Sequence, residues 1–257
     1  MNSWWRPGTQ TDPVPLLAVV IPVHNEVAAI GPLVTEIHCA LDGVFSYELI
    51  VVDDGSEDGT WELLCALVAH NAGPLSAIRH ERRAGQSMAI LTGARASQGE
   101  WLVVLDGDGQ NDPADIPSMV KNALEAAARN SRVAGIIGCR TLRRDTWKRR
   151  VASRLARRVR EFLLHDGIPD IGCGLKVVRR GWYLRLPAFD HMHRFIPVLV
   201  QALGGVMLVQ PVTHRPRSSG ASKYGQWDRL WAGLVDIAGV RWIRKRTPAV
   251  EIRESAQ

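Results

Sequence analysis

The sequence predicts an α/β protein with a mainly parallel, twisted sheet and helices on both faces. Short apolar runs rich in β-branched residues, such as LLAVVI at residues 16–21, lack polar–apolar alternation and are typical of strands covered on both faces. These runs alternate with segments of helical period, and the loops between them are short. The chain has 257 residues, of which 46% are hydrophobic. That is enough for one large domain with a substantial core.

Each element is predicted from its local pattern. In the first helix, for example, Ile30, Leu33, Ile37 and Leu41 recur at helical spacing and share one face. The predicted strands are residues 16–21, 47–52, 75–80, a run that starts at residue 101, 133–139 and 206–212. The predicted helices are residues 26–41, 60–70, 86–97, 115–129, 145–162 and 227–245.

Three regions are predicted along the chain. Residues 1–15 are rich in Pro, Gly and Thr and form a flexible N-terminal arm, residues 16–225 form the α/β domain, and residues 226–257 form an amphipathic helix with a basic tail. No apolar run approaches the roughly 18 to 20 residues of a spanning helix, and the N-terminus lacks the basic start and apolar core of a secretory signal. We therefore expect a cytoplasmic protein.

The net charge of +6 favours an anionic partner, such as a phosphorylated substrate, a phospholipid surface or nucleic acid. The arginines of residues 145–162 alternate with an apolar helical stripe rather than with exposed aromatic residues, and no nucleic-acid module is recognised. We therefore expect no nucleic-acid partner, and salt-sensitive retention of RNA or DNA would contradict that expectation. Cys39, Cys65, Cys139 and Cys173 have no C-x-x-C spacing, which argues against a zinc site or a disulfide framework.

Acidic residues follow two of the predicted strands. Asp53 and Asp54 end one strand, and Asp106, Asp108 and Gln110 follow another. Ligands of an open α/β sheet bind at the carboxyl ends of its strands, so both clusters are expected to face one crevice. Because like charges repel, a bound cation would explain the arrangement, and hard oxygen ligands suit Mg²⁺ or Mn²⁺. The alternative is that Asp and Gly are common turn residues.

Other metal and phosphate motifs do not match these residues. An EF-hand loop that began at Asp106 would need Gly at its sixth position and Glu at its twelfth, where the chain has Asn111 and Pro117. A phosphatase of the haloacid-dehalogenase type carries its D-x-D motif after the first strand, whereas Asp106 and Asp108 follow a later strand of this chain. No P-loop and no dinucleotide-binding fingerprint is present. Substrates whose phosphates are held by a metal are therefore favoured.

Six motifs, in order, resemble the signature of family-2 nucleotide-sugar glycosyltransferases. They are IPVHNE at residues 21–26, VDDGSEDGT at 52–60, RAGQSMA at 83–89, DGDGQ at 106–110, DIGCGLK at 170–176 and HRPRSSGASK at 214–223. The resemblance is strongest to the polyprenyl-phosphate branch, which includes dolichol-phosphate mannose synthase, and it extends from about residue 18 to residue 225. It implies a GT-A fold and metal-dependent, inverting transfer of a sugar from a UDP- or GDP-linked donor to a polyprenyl phosphate.

The resemblance also implies roles for individual residues. The nucleotide-binding residues are Pro22, Glu26, Asp53, Asp54, Arg83, Gly85 and Asp106. The metal ligands are Asp106, Asp108 and Gln110. The acceptor phosphate is assigned to Lys176, Arg194, Arg217, Ser222 and Lys223, and the residues that act in catalysis are Asp108, Asp170, Arg217 and Lys223.

Several alternatives stay open at this level. If the acceptor were a hydroxyl of a saccharide or glycolipid, a general base would be needed, and Asp170 is the candidate. Asp170 could instead hydrogen-bond a turn, and Arg194 could pair with Asp190 four residues earlier. Three histidines, His191, His193 and His214, are expected to hydrogen-bond or pack rather than to bind metal. The chain also departs from the branch: Cys173 replaces Ser, Leu175 replaces an aromatic residue, and FDHMHRF lacks an acidic residue that mannose synthases share.

A polyprenyl acceptor would require contact with a membrane. The predicted C-terminal helix carries Trp227, Trp231 and Trp242 with basic residues at its end, as in helices that lie on a membrane surface. The basic helix at residues 145–162 could add a second contact. We expect a peripheral enzyme on the cytoplasmic face of the inner membrane. The same apolar stripe could instead pack on the domain, on a second copy of the chain or on a membrane-protein partner.

Overall fold

The computed structural model describes residues 14–70, 73–140, 158, 160–164, 166–216 and 226–247. Four regions considered above lie largely or wholly outside these residues: most of the N-terminal arm, most of the basic helix predicted at 145–162, the loop at 217–225 and the basic tail. Arg217, Ser222 and Lys223 belong to that loop, and their assignment to the acceptor phosphate stays a prediction.

A seven-stranded sheet forms the centre of the protein, with the strands in the order β3-β2-β1-β4-β6-β5-β7. The strands are β1 (Leu17–Val23), β2 (Tyr47–Asp53), β3 (Leu75–Arg79), β4 (Trp101–Val104), β5 (Val133–Arg140), β6 (Lys176–Arg179) and β7 (Val206–Val212). All pairings are parallel except those of β6 with β4 and with β5. Six strands therefore run in one direction and β6 runs in the other, which confirms the predicted mainly parallel sheet.

Seven α-helices have bounds within the described residues. They are α1 (Val27–Leu41), α2 (Thr60–Ala69), α3 (Gln86–Ala96), α4 (Ile116–Arg129), the short α5 (Arg180–Tyr183), α6 (Met192–Ala202) and α7 (Gln226–Arg246). Helix α1 contacts α2 and α4, and helix α6 contacts α3 and α7. Residues 160–164 are also helical, at the end of the predicted basic helix.

The apolar runs become the central strands because both of their faces are covered. Every residue of β1 is buried, as is every residue of β4. Helix α1 buries Ile30, Leu33 and Ile37 on the sheet side, which confirms its predicted face. Burial of a whole side chain of this kind stabilises the fold by about 1.5–3 kcal/mol. The core therefore holds β1, β2 and β4 in a fixed register, with their carboxyl ends at one edge.

Strand β6 was not predicted from the sequence. It is four residues long and directly follows the Gly-rich segment, so its local pattern is weak. It forms because Val177 and Val178 insert between β4 and β5, where both are fully buried. Since β6 runs opposite to its neighbours, its first residue, Lys176, lies at the edge of the sheet where β4 ends. That reversal brings a buried cation to the acidic strand end.

Helix α7 packs one side on the domain and leaves the other exposed. Val240 is fully buried, and Ile237 and Ile243 pack against the core, whereas Trp242 is 62% exposed and Val235 is 59% exposed. The side chains of residues 226–232 and 234, which include Trp227 and Trp231, lie outside the described ones. None of the helices in the described ranges is both long enough and apolar enough to cross a membrane.

Candidate active site

The predicted acidic clusters lie at one edge of the sheet. Val23, at the end of β1, pairs with Asp53 at the end of β2, and β4 pairs with the other side of β1. Asp53 and Asp54 therefore follow one strand and Asp106 follows another strand only two positions away in the sheet. Parallel pairing places both clusters at the carboxyl edge, as in other open α/β sheets.

Asp54 fastens the Gly-rich segment to this edge. Its carboxylate accepts hydrogen bonds from the backbone N–H groups of Ala84 and Gly85, both at 2.8 Å, and lies 2.8 Å from Nδ1 of His80. Burial acts to raise the pKa of Asp54, but these hydrogen bonds outweigh it and the pKa is lowered. The carboxylate of Asp54 is therefore charged, and both of its oxygens contact the segment from His80 to Gly85.

Asp53 has a similar role in the turn after β2. It is fully buried, accepts hydrogen bonds from the backbone N–H and the hydroxyl of Ser56, and lies 3.4 Å from Nε of Arg79. The next residue but one, Gly55, has a φ of +72°, and a Cβ there would lie 3.0 Å from the backbone nitrogen of Arg83. Glycine at this position lets the turn contact the segment that carries Arg83 and Gly85.

The loop after β1 is held against the same turn. The backbone N–H of Asn25 donates to Ser56 at 2.9 Å, and that of Glu26 donates to Thr60 at 3.0 Å. Asn25 has a φ of +58°, in the left-handed region where Asn is one of the few tolerated side chains. The loop that carries Pro22 and Glu26 therefore lies against the turn that follows Asp53 and Asp54, and the assignment of a nucleotide to these residues stays a prediction.

The acidic strand end after β4 is partly buried. Asp106 accepts a hydrogen bond from the amide of Gln86 at 2.8 Å. Burial raises the pKa of Asp106, an effect that the charge of Lys176 opposes and the charge of Asp108 strengthens. Asp108 accepts from the backbone N–H of Gln110 at 3.1 Å, and the Gln110 amide nitrogen lies 3.5 Å from the carbonyl of Arg215. The three predicted metal ligands, Asp106, Asp108 and Gln110, thus lie together in the turn directly after β4.

A small cavity of about 170 Å³ opens beside Asp106. Its lining residues are Gln86, Asp106, Ile171, Gly172, Cys173, Gly174, Lys176, His193 and Arg194. The ammonium group of Lys176 donates to the carbonyl of Cys173, and burial lowers the pKa of Lys176. Arg194 is exposed and makes no ion pair with Asp190 in the described part of the chain, so the predicted helix-face pair is not formed. Two of the predicted acceptor residues, Lys176 and Arg194, therefore share one cavity with Asp106.

Gly174 packs closely against Asp106 in this cavity wall. A Cβ at Gly174 would lie 2.2 Å from the Asp106 carboxylate and 2.7 Å from the amide nitrogen of Asn111. Any side chain there would displace the acid. The second glycine of the DIGCGLK motif, Gly174, is therefore required by the packing around Asp106.

Asp170 is held by an arginine that the sequence analysis did not select. Nε of Arg140 donates to one Asp170 oxygen at 2.7 Å, and the guanidinium donates to the other at 2.8 Å. Asp170 also accepts from the backbone N–H of Gly172 at 3.2 Å, so the expected turn contact is present. Arg140 ends β5, at the same edge as the other site residues, and its position could have been recognised only from the strand order.

Three further polar residues around the site were missed from the sequence. Gln86 orients Asp106, His80 bridges Asp54 and Thr92, and Ser87 lies 2.8 Å from Nδ1 of His193. All three lie in or just before the RAGQSMA motif, and this motif was the sequence feature that could have identified them. His191 and His193 make hydrogen bonds, as expected, and His191 pairs with Asp236 of α7 at 2.9 Å.

The residues present fit a divalent cation in their chemistry. Carboxylate and amide oxygens are the ligands that Mg²⁺ and Mn²⁺ prefer, and the space beside Asp106 is kept open by Gly174. Among the described residues, no three His, Cys, Asp or Glu side chains form a complete metal-binding group. The set would therefore be completed by Gln110, water or the substrate's own phosphate oxygens, as is common for Mg²⁺.

Known proteins are similar in sequence to this chain over most of its length. An undecaprenyl-phosphate 4-deoxy-4-formamido-L-arabinose transferase from Aeromonas hydrophila is 34% identical over 213 residues, which is 82% of this chain and 64% of the relative. A dodecaprenyl-phosphate galacturonate synthase from Rhizobium johnstonii is 33% identical over 233 residues, 89% of this chain and 67% of the relative. The chain thus spans about two thirds of the length of these relatives.

Solved structures share the fold at lower identity. A mannosyltransferase from Pyrobaculum calidifontis, in complex with GDP-Man and Mn²⁺, superposes with a TM-score of 0.64 at 17% identity, covering 93% of this chain and 66% of that protein. Glucosyl-3-phosphoglycerate synthase from Mycobacterium tuberculosis, in complex with Mg²⁺ and UDP, gives 0.64 at 19%, covering 91% and 80%. These similarities confirm the GT-A fold implied by the motifs.

The family model described as "Glycosyl transferase family 2" matches residues 18–186. That range contains β1 except for its first residue, β2 to β6, both acidic strand ends and Asp170. The chain belongs to glycosyltransferase family 2.

Proposed function

We propose that this chain transfers a sugar from a nucleoside diphosphate sugar to a polyprenyl phosphate, with inversion at the anomeric carbon. The observation that carries the proposal is one cavity in which Asp106, a candidate for the donor side, lies with Lys176 and Arg194, two cations suited to an anionic acceptor. The relatives' names support it, because they specify undecaprenyl phosphate and dodecaprenyl phosphate.

The donor diphosphate is assigned to the turn after β4. Asp106, Asp108 and Gln110 would hold Mg²⁺ or Mn²⁺, and Gln86 orients the first of them by its hydrogen bond of 2.8 Å. When bound, the metal would neutralise the charge that develops on the departing nucleoside diphosphate. The solved relatives that contain Mn²⁺ with GDP-Man and Mg²⁺ with UDP support this assignment.

The nucleoside is assigned to the loop after β1 and the turn after β2, with Pro22, Glu26 and Asp53 beside it. Both oxygens of Asp54 already accept hydrogen bonds from the segment that leads into α3. We therefore assign Asp54 the task of holding Arg83 and Gly85 in position for the nucleotide. A rigid subsite of this kind lowers the entropy cost of binding.

The acceptor phosphate is assigned to the cationic side of the cavity. A phosphate is already anionic at neutral pH and needs little or no general base, but it is repelled by the donor diphosphate. Lys176 and Arg194, together with Arg217, Ser222 and Lys223 from the loop outside the described residues, would screen that repulsion. An arginine can bind two phosphate oxygens at once. Direct attack of a phosphate oxygen on the anomeric carbon then displaces the nucleoside diphosphate and inverts the configuration at that carbon.

The same fold could instead transfer the sugar to a hydroxyl, which would require a base such as Asp170. Both oxygens of Asp170 accept hydrogen bonds from Arg140, at 2.7 and 2.8 Å. A general base must be within hydrogen-bond reach of the hydroxyl that it deprotonates, and both oxygens of Asp170 are already paired with Arg140. The ion pair therefore favours the phosphate acceptor. Loss of transfer but survival of donor hydrolysis in Asp170→Asn would favour the hydroxyl acceptor instead.

A membrane-bound acceptor places the enzyme at a lipid surface. The exposed side of α7 presents Trp242 with Arg241, Lys245 and Arg246, a combination suited to anionic headgroups. We assign the chain to the cytoplasmic face of the inner membrane, where nucleotide sugars are available. Attachment through a membrane-protein partner or as a homo-oligomer would use the same surface.

The direct test is a transfer assay with the purified chain. Polyprenyl phosphate in detergent, Mg²⁺ or Mn²⁺, and a panel of radiolabelled UDP- and GDP-sugars are incubated with the protein, and the lipid fraction is counted. We expect label in the lipid with at least one donor, and none when metal is removed by a chelator. A chain that binds a nucleotide sugar but leaves the lipid fraction unlabelled with every donor would contradict the proposed acceptor.

A further inference from the structure

His193 lines the same cavity as Asp106, and the proposed function gives it no role. It is in the first turn of α6, whereas Asp106 follows β4 and Gln86 begins α3. All three side chains line the same cavity of about 170 Å³. Binding pockets for drug-sized ligands are typically several hundred Å³, so this space suits a single ring rather than a whole nucleotide.

Ser87 fixes one edge of the His193 ring. The backbone N–H of His193 donates to the Ser87 hydroxyl at 3.3 Å, and that hydroxyl lies 2.8 Å from Nδ1 of the ring. A hydroxyl has one hydrogen to donate and two lone pairs that accept, so Ser87 can donate to Nδ1 while it accepts from the backbone N–H. Ser87 is fully buried, so this contact is protected from water. With Ser87 as the donor to Nδ1, the neutral ring carries its proton on Nε2.

The surroundings favour the neutral form of the ring. Burial lowers the pKa of His193 well below its usual value, and the charges of Lys176 and Arg194 act in the same direction. In the described part of the chain, no group accepts a hydrogen bond from Nε2. A neutral N–H donor beside a carboxylate and an amide is suited to the hydroxyl groups of a sugar, whereas a phosphate is better bound by the neighbouring cations.

We infer that Nε2 of His193 donates a hydrogen bond to the transferred sugar of the donor and that Ser87 is the positioning residue which holds the ring in that orientation. The inference rests on the proposed function and extends it to the residue that recognises the sugar. His193 would then contribute to binding of the nucleotide sugar and nothing to binding of the nucleoside diphosphate alone. This difference separates sugar recognition from a merely structural role.

The test compares affinities for two kinds of ligand. The full chain and its His193→Ala, His193→Gln and Ser87→Ala variants are titrated calorimetrically, in the presence of Mg²⁺, with UDP, GDP, UDP-glucose, UDP-glucuronate and GDP-mannose. His70→Ala, a histidine on the exposed end of α2, serves as the matched control. For the sugar donor that binds the wild type best, we expect His193→Ala to lose about three- to tenfold in affinity.

The other variants sharpen the interpretation. Gln keeps an N–H donor near the position of Nε2, so His193→Gln should retain most of the affinity, and Ser87→Ala should lose part of it because the ring is freed. Affinity for the matching UDP or GDP should stay within twofold in every variant. Equal losses for the sugar donor and the diphosphate, or no loss in His193→Ala, would overturn the inference alone. A wild-type chain that binds none of the five nucleotides would overturn the proposed function as well.

Discussion

At the scale of single residues, the site depends on a glycine as much as on its charged side chains. Gly174 leaves room for Asp106, whereas Gly181, in the short helix α5, has open space around its Cβ position. The two glycines lie seven positions apart in the chain, Gly174 just before β6 and Gly181 in α5, and only Gly174 is tightly packed. They therefore form a pair of positions for testing how tightly the carboxylate of Asp106 is packed.

Substitution of Gly174 by Ala should destabilise the protein and impair the site. A Cβ 2.2 Å from the Asp106 carboxylate requires the acid to move, and overpacking of this kind costs about 1–3 kcal/mol. We expect that loss in urea unfolding, with weaker nucleotide binding. Gly181→Ala should change stability by less than about 1 kcal/mol. Similar behaviour of the two variants would show that Asp106 is not confined as described.

Asp108 tests the metal assignment most directly. Removal of its charge in Asp108→Asn should reduce sugar transfer by about 100-fold or more, in the range found when one transition-state contact is lost. The variant should remain folded because Asp108 is partly exposed. Transfer rates are measured across a Mn²⁺ titration, with Asp42→Asn, at the opposite edge of the sheet, as the control. Full activity with unchanged metal dependence would exclude Asp108 as a ligand.

Asp54 makes the stability depend on pH in a defined direction. Its pKa in the folded chain lies below the ordinary value of 3.8, so the unfolded chain binds this proton more readily. Its contribution is therefore present above about pH 4 and is lost as the pH falls through the lower folded pKa. Urea unfolding between pH 2.5 and 6 should show this decline, and Asp54→Asn should make it shallower. An unchanged slope would mean that the Ala84, Gly85 and His80 contacts do not favour the charged form.

At the scale of elements, α7 is the one whose role the sequence left open between packing and membrane contact. It does pack: His191 pairs with Asp236, Arg244 donates to the carbonyl of Leu164, and Val240 is buried. The periodicity of the helix could not separate these uses, because its apolar residues occupy both sides. Only the docked position shows that Trp242 stays outside, with Arg246 lying 5.8 Å from its ring centroid.

The exposed side of α7 should bind anionic membranes. Replacement of Lys245 and Arg246 by Gln should weaken sedimentation with phosphatidylglycerol-containing vesicles by roughly 30-fold, since each cation near such a surface contributes about 1 kcal/mol. Arg129→Gln with Arg132→Gln makes the same change in charge on exposed residues at the end of α4 and just after it, and should leave binding almost unchanged. Equal effects of the two pairs would indicate that net charge, and not α7, controls the association.

At the scale of the whole molecule, the two acidic strand ends and the cavity belong to one sheet, so nucleotide binding should stabilise the chain as a unit. At 100 times its Kd, a ligand adds about 2.7 kcal/mol of apparent stability, which for a domain of this size corresponds to roughly 5 to 10 °C in Tm. Thermal unfolding with UDP or GDP and Mn²⁺ should show this rise. The same nucleotides should give a smaller shift with Asp108→Asn, and equal shifts would argue that the metal does not join the nucleotide to this turn.

The sequence by itself determined the α/β class, the strands β1 to β5 and β7, and the meeting of the acidic strand ends at one edge. These features follow from local patterns, because parallel strands joined by helices place their carboxyl ends together. Only the tertiary structure decided the contacts between residues far apart in the chain. Ser87 meets His193 across 106 positions, and Arg140 meets Asp170 across 30. Such pairs depend on the strand order and on the reversed strand β6, which is held by its buried neighbours and not by any pattern of its own.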